Sequence, residues 1–190
     1  MTQAATEENV QGQLASERRE PLDVHRIMSL VPLRPYMAVA DIGCGTGLFT
    51  IPLAKFLWDG KVYAVDWEEG VMEALRKRVA EVHLGNVVAI KADGATLPLE
   101  PNSMEGVVLS WVLHKASDRG ELMRQVVAAL RRAGWCAVID WRPDAAEADG
   151  PPKEKRIGEE EVGRLGSEAG LRVSLRRELS DQYYLMVLTK

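Results

Sequence analysis

Residues 39–47 have the sequence Val-Ala-Asp-Ile-Gly-Cys-Gly-Thr-Gly, in which a short apolar run leads directly into three closely spaced glycines. A helix-period segment follows at residues 48–57, so the pattern predicts a buried strand, a tight loop and a helix in succession. Glycines allow such a tight turn and let a ligand approach the backbone closely. The segment therefore predicts a ligand-binding loop at the carboxyl end of a strand.

Outward from this loop, apolar runs alternate with helix-period segments along most of the chain. The predicted strands of this alternating part cover residues 37–42, 61–65, 87–90, 105–109 and 135–139, and the predicted helices cover 48–57, 68–82 and 121–131. Nearly continuous apolar runs are typical of parallel strands that are covered on both faces. Strands that alternate with helices imply right-handed crossovers and a doubly wound α/β sheet.

The last third of the sequence departs from this alternation. A loop at 141–157 and a helix at 159–169 precede two strands, 171–175 and 183–188, which only a turn separates. These strands are predicted to form an antiparallel hairpin at the sheet edge. The prediction is an α/β fold with a doubly wound, mostly parallel, seven-stranded sheet. Of Tyr183 and Tyr184, which begin the last strand, we expect at most one to point inward, because side chains alternate along a strand.

The length of 190 residues and the mass of 21.0 kDa suit one compact domain. Residues 1–20 are polar and are predicted to be a flexible N-terminal tail, with the domain covering residues 21–190. A short amphipathic helix at 22–31 is expected to begin that domain. No internal repeat is found.

Composition excludes several classes of protein. Hydrophobic residues make up 46% and charged residues 27%, which excludes a disordered chain. Two cysteines, Cys44 and Cys136, exclude a disulfide scaffold and a four-cysteine zinc site. A net charge of −4 argues against broad capture of nucleic acid, and no apolar run reaches membrane-spanning length. We therefore expect a cytoplasmic protein without a membrane span, with a homodimer as one candidate assembly.

Two aspartates near the glycine loop define the ligand that it would accept. Asp41, two residues before the first glycine, would repel a pyrophosphate and attract an ammonium group. Asp66 closes the second strand, 19 residues beyond Gly47, where a carboxylate can accept two hydrogen bonds from a ribose diol. The combined demand is for an adenosine with a free ribose diol and a cationic amine but no pyrophosphate. S-adenosylmethionine meets these conditions.

Four segments, taken in order, resemble the successive motifs of class I S-adenosylmethionine-dependent methyltransferases. They are VADIGCGTG at 39–47, VYAVD at 62–66, KADGATLPL at 91–99 and EGVVLSWVLH at 105–114. The nearest branch includes the ubiquinone/menaquinone-biosynthesis C-methyltransferases and the arsenite methyltransferases. The resemblance implies a Rossmann-like methyltransferase fold and S-adenosylmethionine as cofactor.

The resemblance also assigns roles to residues of this chain. Asp41 is similar to the acid around the methionine amine, Asp66 to the acid that holds the ribose hydroxyls, and Trp67 to the apolar residue against the adenine. Asp93 is similar to the carboxylate that accepts from the adenine amino group. The remaining implied cofactor-binding residues are the loop residues Gly43, Cys44, Gly45 and Gly47, the backbone at Gly94, and Ser110 at the end of the fourth strand.

The resulting hypothesis is a methyltransferase that acts on a small-molecule methyl acceptor. His114 and Asp140 are the candidate general bases if the acceptor arrives protonated. One alternative is a methyltransferase-like interaction subunit that binds the cofactor. The other is a nicotinamide-binding oxidoreductase, against which the G-x-G-x-G spacing and Asp41 argue. The pattern G-x-x-x-x-G-K-[ST] of phosphate-binding loops and the zinc-binding pattern H-E-x-x-H are both absent from the sequence.

Overall fold

The structure, a computed structural model, describes residues 22–146 and 150–190. The chain divides into two compact units, of which the first ends at Gly94 and the second begins at Ala95. The predicted tail at residues 1–20 lies outside the described residues. A single domain at residues 21–190 stays a prediction.

The first unit consists of three parallel strands with helices between them. Its elements in chain order are α1 (Val24–Ser29), β1 (Ala38–Ile42), α2 (Thr50–Phe56), β2 (Lys61–Asp66), α3 (Glu69–Glu81) and β3 (Val87–Lys91). Strand β2 lies between β1 and β3, and both pairings are parallel. The register sets Ile42 beside Val65 and Asp66 beside Lys91, so the strands end together at one edge.

Burial explains why these segments form strands and helices. In β1, Val39, Ala40 and Ile42 have no exposed surface, as expected for a parallel strand covered on both faces. Helix α3 buries Val71, Met72 and Leu75. The predicted helix extended to residue 82, whereas the helix ends at Glu81 and Val82 is 40% exposed.

The second unit combines a parallel pair of strands with an antiparallel hairpin. Its elements are β4 (Met104–Ser110), α4 (Arg119–Ala129), β5 (Leu130–Trp141), α5 (Glu159–Ala169), β6 (Arg172–Glu178) and β7 (Tyr183–Thr189), with 3₁₀ turns at Leu113–Lys115 and Lys153–Lys155. Strands β4 and β5 are parallel, whereas β7 is antiparallel to both β5 and β6. The predicted α/β fold with mostly parallel strands and a C-terminal antiparallel hairpin is confirmed, with seven strands in the described ranges.

Several boundaries differ from the prediction, and those at the starts of α4 and β5 have a visible structural cause. Helix α4 begins at Arg119 because Asp118 caps it, accepting a hydrogen bond from the Glu121 amide at 2.8 Å. Strand β5 begins at Leu130 instead of residue 135, and it contains Ala133 in a left-handed conformation (φ 62°). A left-handed residue interrupts regular pairing, and no local sequence pattern announces it.

The prediction for the two tyrosines of β7 is wrong, because both are buried. Tyr184 is 1% exposed and its hydroxyl donates to the Ile157 carbonyl at 2.8 Å. Tyr183 is 9% exposed and packs edge-on against Trp141, with ring centroids 4.7 Å apart. Both faces of the terminal strand are therefore covered. Within the two described ranges, every helix is too short or too polar to cross a membrane.

Candidate functional site

The glycine loop after β1 folds back onto the end of β2. Gly43, Gly45 and Gly47 all have positive φ values, of 71°, 53° and 100°. The amides of Gly43 and Cys44 both donate to the Val65 carbonyl, at 2.8 and 3.1 Å. Left-handed backbone at three positions is readily accessible only to glycine, which explains the spacing that the sequence shows.

The amides of this loop are largely used within the unit. Besides the two bonds to Val65, the Gly45 amide donates to Asp66 Oδ2 at 3.0 Å and the Gly47 amide to the Cys44 carbonyl at 3.0 Å. A phosphate-binding loop instead points its amides at the anion. In this loop, the four amides that would have to face such an anion donate to partners within the unit.

Gly47 has a second, steric role. A Cβ atom at this position would come within 2.7 Å of Leu75 Cδ1, so the absence of a side chain lets α3 pack close to the loop. Arg78 of the same helix donates to the Thr46 carbonyl at 2.7 Å. Helix α3 thus holds the loop in place by packing and by a charged hydrogen bond.

Asp41 is fully buried and only half satisfied. The Thr50 hydroxyl donates to its Oδ2 at 2.6 Å, while Oδ1 has no hydrogen-bond partner among the residues that the structure describes. Burial raises the pKa of the Asp41 carboxyl to about 7; the Thr50 bond opposes the rise, and the charge of Asp66 adds to it. A ligand that brings a cationic donor to Oδ1 would both satisfy the oxygen and favour the ionised carboxylate.

Asp66 is positioned by backbone amides at the end of β2. Its Oδ1 accepts from the Trp67 amide at 2.7 Å and from the Glu68 amide at 3.3 Å, and its Oδ2 accepts from Gly45. The residue is 9% exposed. An ionised carboxylate has about four acceptor sites, so these bonds fix its orientation and leave capacity for a further donor.

The remaining predicted cofactor residues of the first unit fall into two groups. Trp67 and Gly94 are brought together, since the indole Nε1 donates to the Gly94 carbonyl at 2.9 Å. Asp93 points to solvent: its side chain is 87% exposed, and Lys91 Nζ donates to its Oδ1 at 2.5 Å.

Cys44 contributes backbone to the loop and its side chain to the core. Its Sγ lies 3.8 Å from Met72 Sδ, in an apolar cluster with Ala64 and Leu75. Burial raises the pKa of the thiol above its usual range. Cys44 is therefore not a reactive thiol in this structure.

In the second unit, the structure joins the two predicted general bases into one pair. His114 Nδ1 lies 2.7 Å from Asp140 Oδ1, and the His114 amide donates to Asp140 Oδ2 at 3.3 Å. The Trp141 amide also donates to Oδ1, at 2.8 Å. Because an ionised carboxylate only accepts, the pairing places the imidazole proton on Nδ1 and leaves Nε2 as the basic nitrogen.

Three aromatic side chains lie near the ends of β4 and β5 and the start of β7. The sequence analysis did not predict contacts between them. Tyr183 packs edge-on against both Trp111, at 5.5 Å, and Trp141. Trp111 follows the buried Ser110 and adopts a left-handed conformation with φ 56°. Such strain in a bulky residue concentrates at functional sites. Trp111 follows β4, Trp141 ends β5 and Tyr183 begins β7. Because these residues are distant in the sequence, no local sequence signal could have predicted their contacts.

Arg156 is a further residue that sequence reasoning missed. It is 6% exposed, and its guanidinium donates to the carbonyls of Ala145 at 2.5 Å and Pro151 at 3.0 Å. It also lies 5.7 Å from the Trp141 ring centroid. A lone arginine in a polar loop is ordinarily a solvated charge, so its burial depends on how the loop folds.

Comparisons with known proteins agree on one class. A family model described as a methyltransferase domain matches residues 40–138. A demethylmenaquinone methyltransferase of Symbiobacterium thermophilum is 30% identical over 103 residues, which are 53% of this chain and 41% of that protein. The chain spans less than half the length of such curated relatives.

Solved structures extend the likeness to the whole fold. A SAM dependent methyltransferase from Aquifex aeolicus matches with a TM-score of 0.88 at 25% identity, over 96% of this chain and 97% of that one. NcsB1, an O-methyltransferase from neocarzinostatin biosynthesis, matches with a TM-score of 0.74 at 24% identity, over 93% of this chain and 56% of that one. NcsB1 was solved with S-adenosyl-L-homocysteine and 1,4-dihydroxy-2-naphthoic acid. At that identity it supports the fold alone.

Proposed function

This chain belongs to the methyltransferase domain family, whose model matches residues 40–138, and on that premise we propose that it transfers a methyl group from S-adenosylmethionine to a small molecule. One observation carries the choice of cofactor: the buried Oδ1 of Asp41 has no partner within the described residues. A buried carboxylate oxygen left in that state is costly, and an ammonium group is the donor that relieves the cost best. The methionine amine of S-adenosylmethionine is such a group.

The other residues of the first unit would hold the adenosine. Asp66 would accept from the ribose hydroxyls, because its carboxylate is oriented by three backbone amides and keeps acceptor capacity. Trp67, fixed by its bond to Gly94, would lie against the adenine. Asp93 would accept from the adenine amino group after exchanging its contact with Lys91.

When bound, S-adenosylmethionine supplies a methyl group already activated by a sulfonium leaving group. The protein's contribution is then chiefly alignment and exclusion of water, to which the buried loop of the first unit would contribute. His114 would accept the proton of a protonated acceptor at Nε2. Asp140 would hold the imidazole in the matching tautomer and stabilise the imidazolium that forms. Ser110, buried at the end of β4, is proposed to face the cofactor.

For the acceptor, we propose a planar aromatic compound with a hydroxyl group. Two tryptophans, Trp111 and Trp141, both pack edge-on against Tyr183 where β4 and β5 end and β7 begins. Aromatic rings pack favourably against such side chains. The relatives are named for a menaquinone precursor, and NcsB1 was solved with a dihydroxynaphthoic acid, so naphthalene diols head the panel to be tested.

The proposed location and partners rest on the cysteines and on the net charge of the chain. A cytoplasmic protein is supported by two cysteines that are buried and unpaired. The net charge of −4 supports a small acceptor over nucleic acid. Residues 21–190 are proposed as one methyltransferase domain. A homodimer stays an expectation, which sedimentation velocity would test.

The test is acceptor-dependent release of S-adenosylhomocysteine, followed by mass spectrometry of the methylated product. The full chain is incubated with S-adenosylmethionine and a panel of naphthalene diols, catechols and aliphatic alcohols. We expect release with at least one aromatic diol and none with the alcohols. Binding of S-adenosylmethionine without release in any mixture would instead favour a cofactor-binding interaction subunit.

A further inference from the structure

Three exposed aromatic side chains lie on two neighbouring segments at the amino ends of β1 and β2. Tyr36, Phe56 and Trp58 are 64%, 41% and 75% exposed. We call these three residues the aromatic patch. The other large apolar side chains exposed in the described part of the chain are valines, each 40% exposed or less. Clustered exposed apolar groups mark interaction surfaces, whereas scattered ones need no explanation.

Backbone hydrogen bonds hold the two segments of the patch side by side. The Asp59 amide donates to the Pro35 carbonyl at 3.1 Å, and the Lys61 amide donates to the Met37 carbonyl at 3.1 Å. Gly60 lies between these two bonds, and a Cβ there would come within 2.2 Å of the Met37 carbonyl oxygen. The turn that carries Trp58 is thus fixed against the turn that carries Tyr36.

A partly buried side-chain amide fixes the segment that carries the third residue. Asn86 Nδ2 donates to the carbonyls of Ala54 at 2.9 Å and Leu57 at 2.8 Å, at the end of α2. Phe56 is the last residue of that helix. The patch is therefore preformed, and a partner would not have to order it.

The charges around the patch are mostly positive. Arg34, Lys55 and Lys61 are exposed on the same two segments, with Asp59 as the exposed acid among them. The whole chain carries a net charge of −4, so this cationic rim stands against an acidic background. Trp and Tyr rings flanked by Lys and Arg are the composition that favours a membrane–water interface.

We propose that the aromatic patch docks the protein on an anionic lipid surface. The rings would enter the headgroup region, and the three cations would contact the phosphates of an anionic leaflet. A second copy fits the surface less well, because a two-fold contact would set each cationic rim against its copy. Strand β1 separates the patch from the glycine loop by roughly 15 Å, so docking leaves the loop open.

The test is co-sedimentation of the full chain with vesicles. We expect binding to equimolar phosphatidylglycerol and phosphatidylcholine, weak binding to phosphatidylcholine alone, and loss of binding with added salt. Trp58→Ala should weaken binding about tenfold, and Lys55→Gln and Lys61→Gln about fivefold each. Val173→Ser and Arg172→Gln, exposed substitutions on β6, should leave it unchanged.

Further measurements distinguish lipid docking from a loss of folding and from a protein–protein contact. Affinity for S-adenosylhomocysteine and the melting temperature should be the same in the Trp58→Ala chain and the unaltered one, which shows that the fold persists. Binding that Trp58→Ala leaves intact overturns the proposal, as does equal binding to both vesicle types. A dimer in sedimentation velocity that Trp58→Ala dissociates would assign the patch to a second copy. If removing residues 1–20 makes the Trp58 fluorescence more accessible to a quencher in solution, the aromatic patch would be assigned to the chain's own N-terminal segment.

Discussion

Each unit of the molecule buries an aspartate near the carboxyl end of a parallel strand, and the two differ in how their oxygens are satisfied. Asp140 on β5 accepts from the His114 ring, the His114 amide and the Trp141 amide, so both of its oxygens have partners. Asp41 on β1 accepts from Thr50 at one oxygen, and within residues 22–146 and 150–190 nothing donates to the other. Both carboxyl groups have no exposed surface.

This difference between the two aspartates distinguishes a carboxylate that positions a neighbouring side chain from one that binds a ligand. A buried carboxylate whose bonds are complete orients its neighbours and gains little from a ligand. A buried carboxylate with one oxygen unsatisfied carries a desolvation cost that a ligand can remove. We therefore propose that Asp140 orients His114 and that Asp41 recognises a cationic group.

The largest expected effect is on the rate of methyl transfer, through the hydrogen-bonded pair of His114 and Asp140. With an acceptor identified, His114→Ala should lower the rate of methyl transfer roughly 10²- to 10⁴-fold, because the proton acceptor is lost. Affinity for S-adenosylhomocysteine, measured by calorimetry, should stay the same. The exposed His25→Ala is the matched control and should alter neither quantity. A large loss of cofactor affinity in His114→Ala would break the division between the two aspartates.

The next effect is on cofactor affinity at the unsatisfied aspartate. Asp41→Asn keeps the side-chain volume and an oxygen for the Thr50 hydroxyl but removes the charge that an ammonium group needs. We expect affinity for S-adenosylmethionine to fall roughly 100-fold, as for loss of a charged hydrogen bond. The exposed Asp59→Asn is the control and should bind normally. Unaltered affinity in Asp41→Asn would remove the proposed amine site.

A smaller loss is expected at Asp66. Asp66→Ala removes the proposed ribose acceptor and should cost about 1.5 kcal/mol of cofactor affinity, which is roughly tenfold. Asp93→Ala should cost less, because this carboxylate is 87% exposed and already paired with Lys91. Calorimetric titration of both variants checks the order. The reverse order would mean that the adenine contact outweighs the ribose contact.

The smallest effect is a pH dependence of stability without ligand. In the folded chain Asp41 holds its proton to a pKa of about 7, whereas the unperturbed value is 3.8. Between those values the folded state binds more protons than the unfolded state, so the free energy of unfolding falls as the pH rises. The expected contribution is a loss of about 1 kcal/mol between pH 6 and pH 7. Denaturant unfolding should show this decline in the unaltered chain and not in Asp41→Asn; parallel profiles would contradict it.

Local signals in the sequence were enough to predict those features that depend on residues close together along the chain. The glycines of 43–47 require left-handed backbone, and the structure has it at all three. Helix α5 has the predicted bounds despite Gly163 and Gly166. The reason for Gly166 is not local, since a Cβ there would come within 2.2 Å of Leu188 Cδ2 on β7.

The features that could not be predicted depend on contacts between segments that are distant in the sequence. His114 and Asp140 were each predicted as a base, but their pairing joins residues 26 positions apart. The burial of both Tyr183 and Tyr184 follows from what covers the two faces of β7, and the alternation of side chains along a strand does not contain that information. The missing partner of Asp41 Oδ1 is likewise a property of packing within the described chain.

We propose that the half-satisfied Asp41 and the closed glycine loop select an adenosine with a cationic amine over a dinucleotide. Calorimetric titration of the full chain with S-adenosylhomocysteine and, separately, with NAD tests it most directly. We expect saturable binding of S-adenosylhomocysteine and no saturable binding of NAD, because Asp41 would repel a pyrophosphate and four loop amides are already engaged. Saturable binding of NAD without binding of S-adenosylhomocysteine would contradict it.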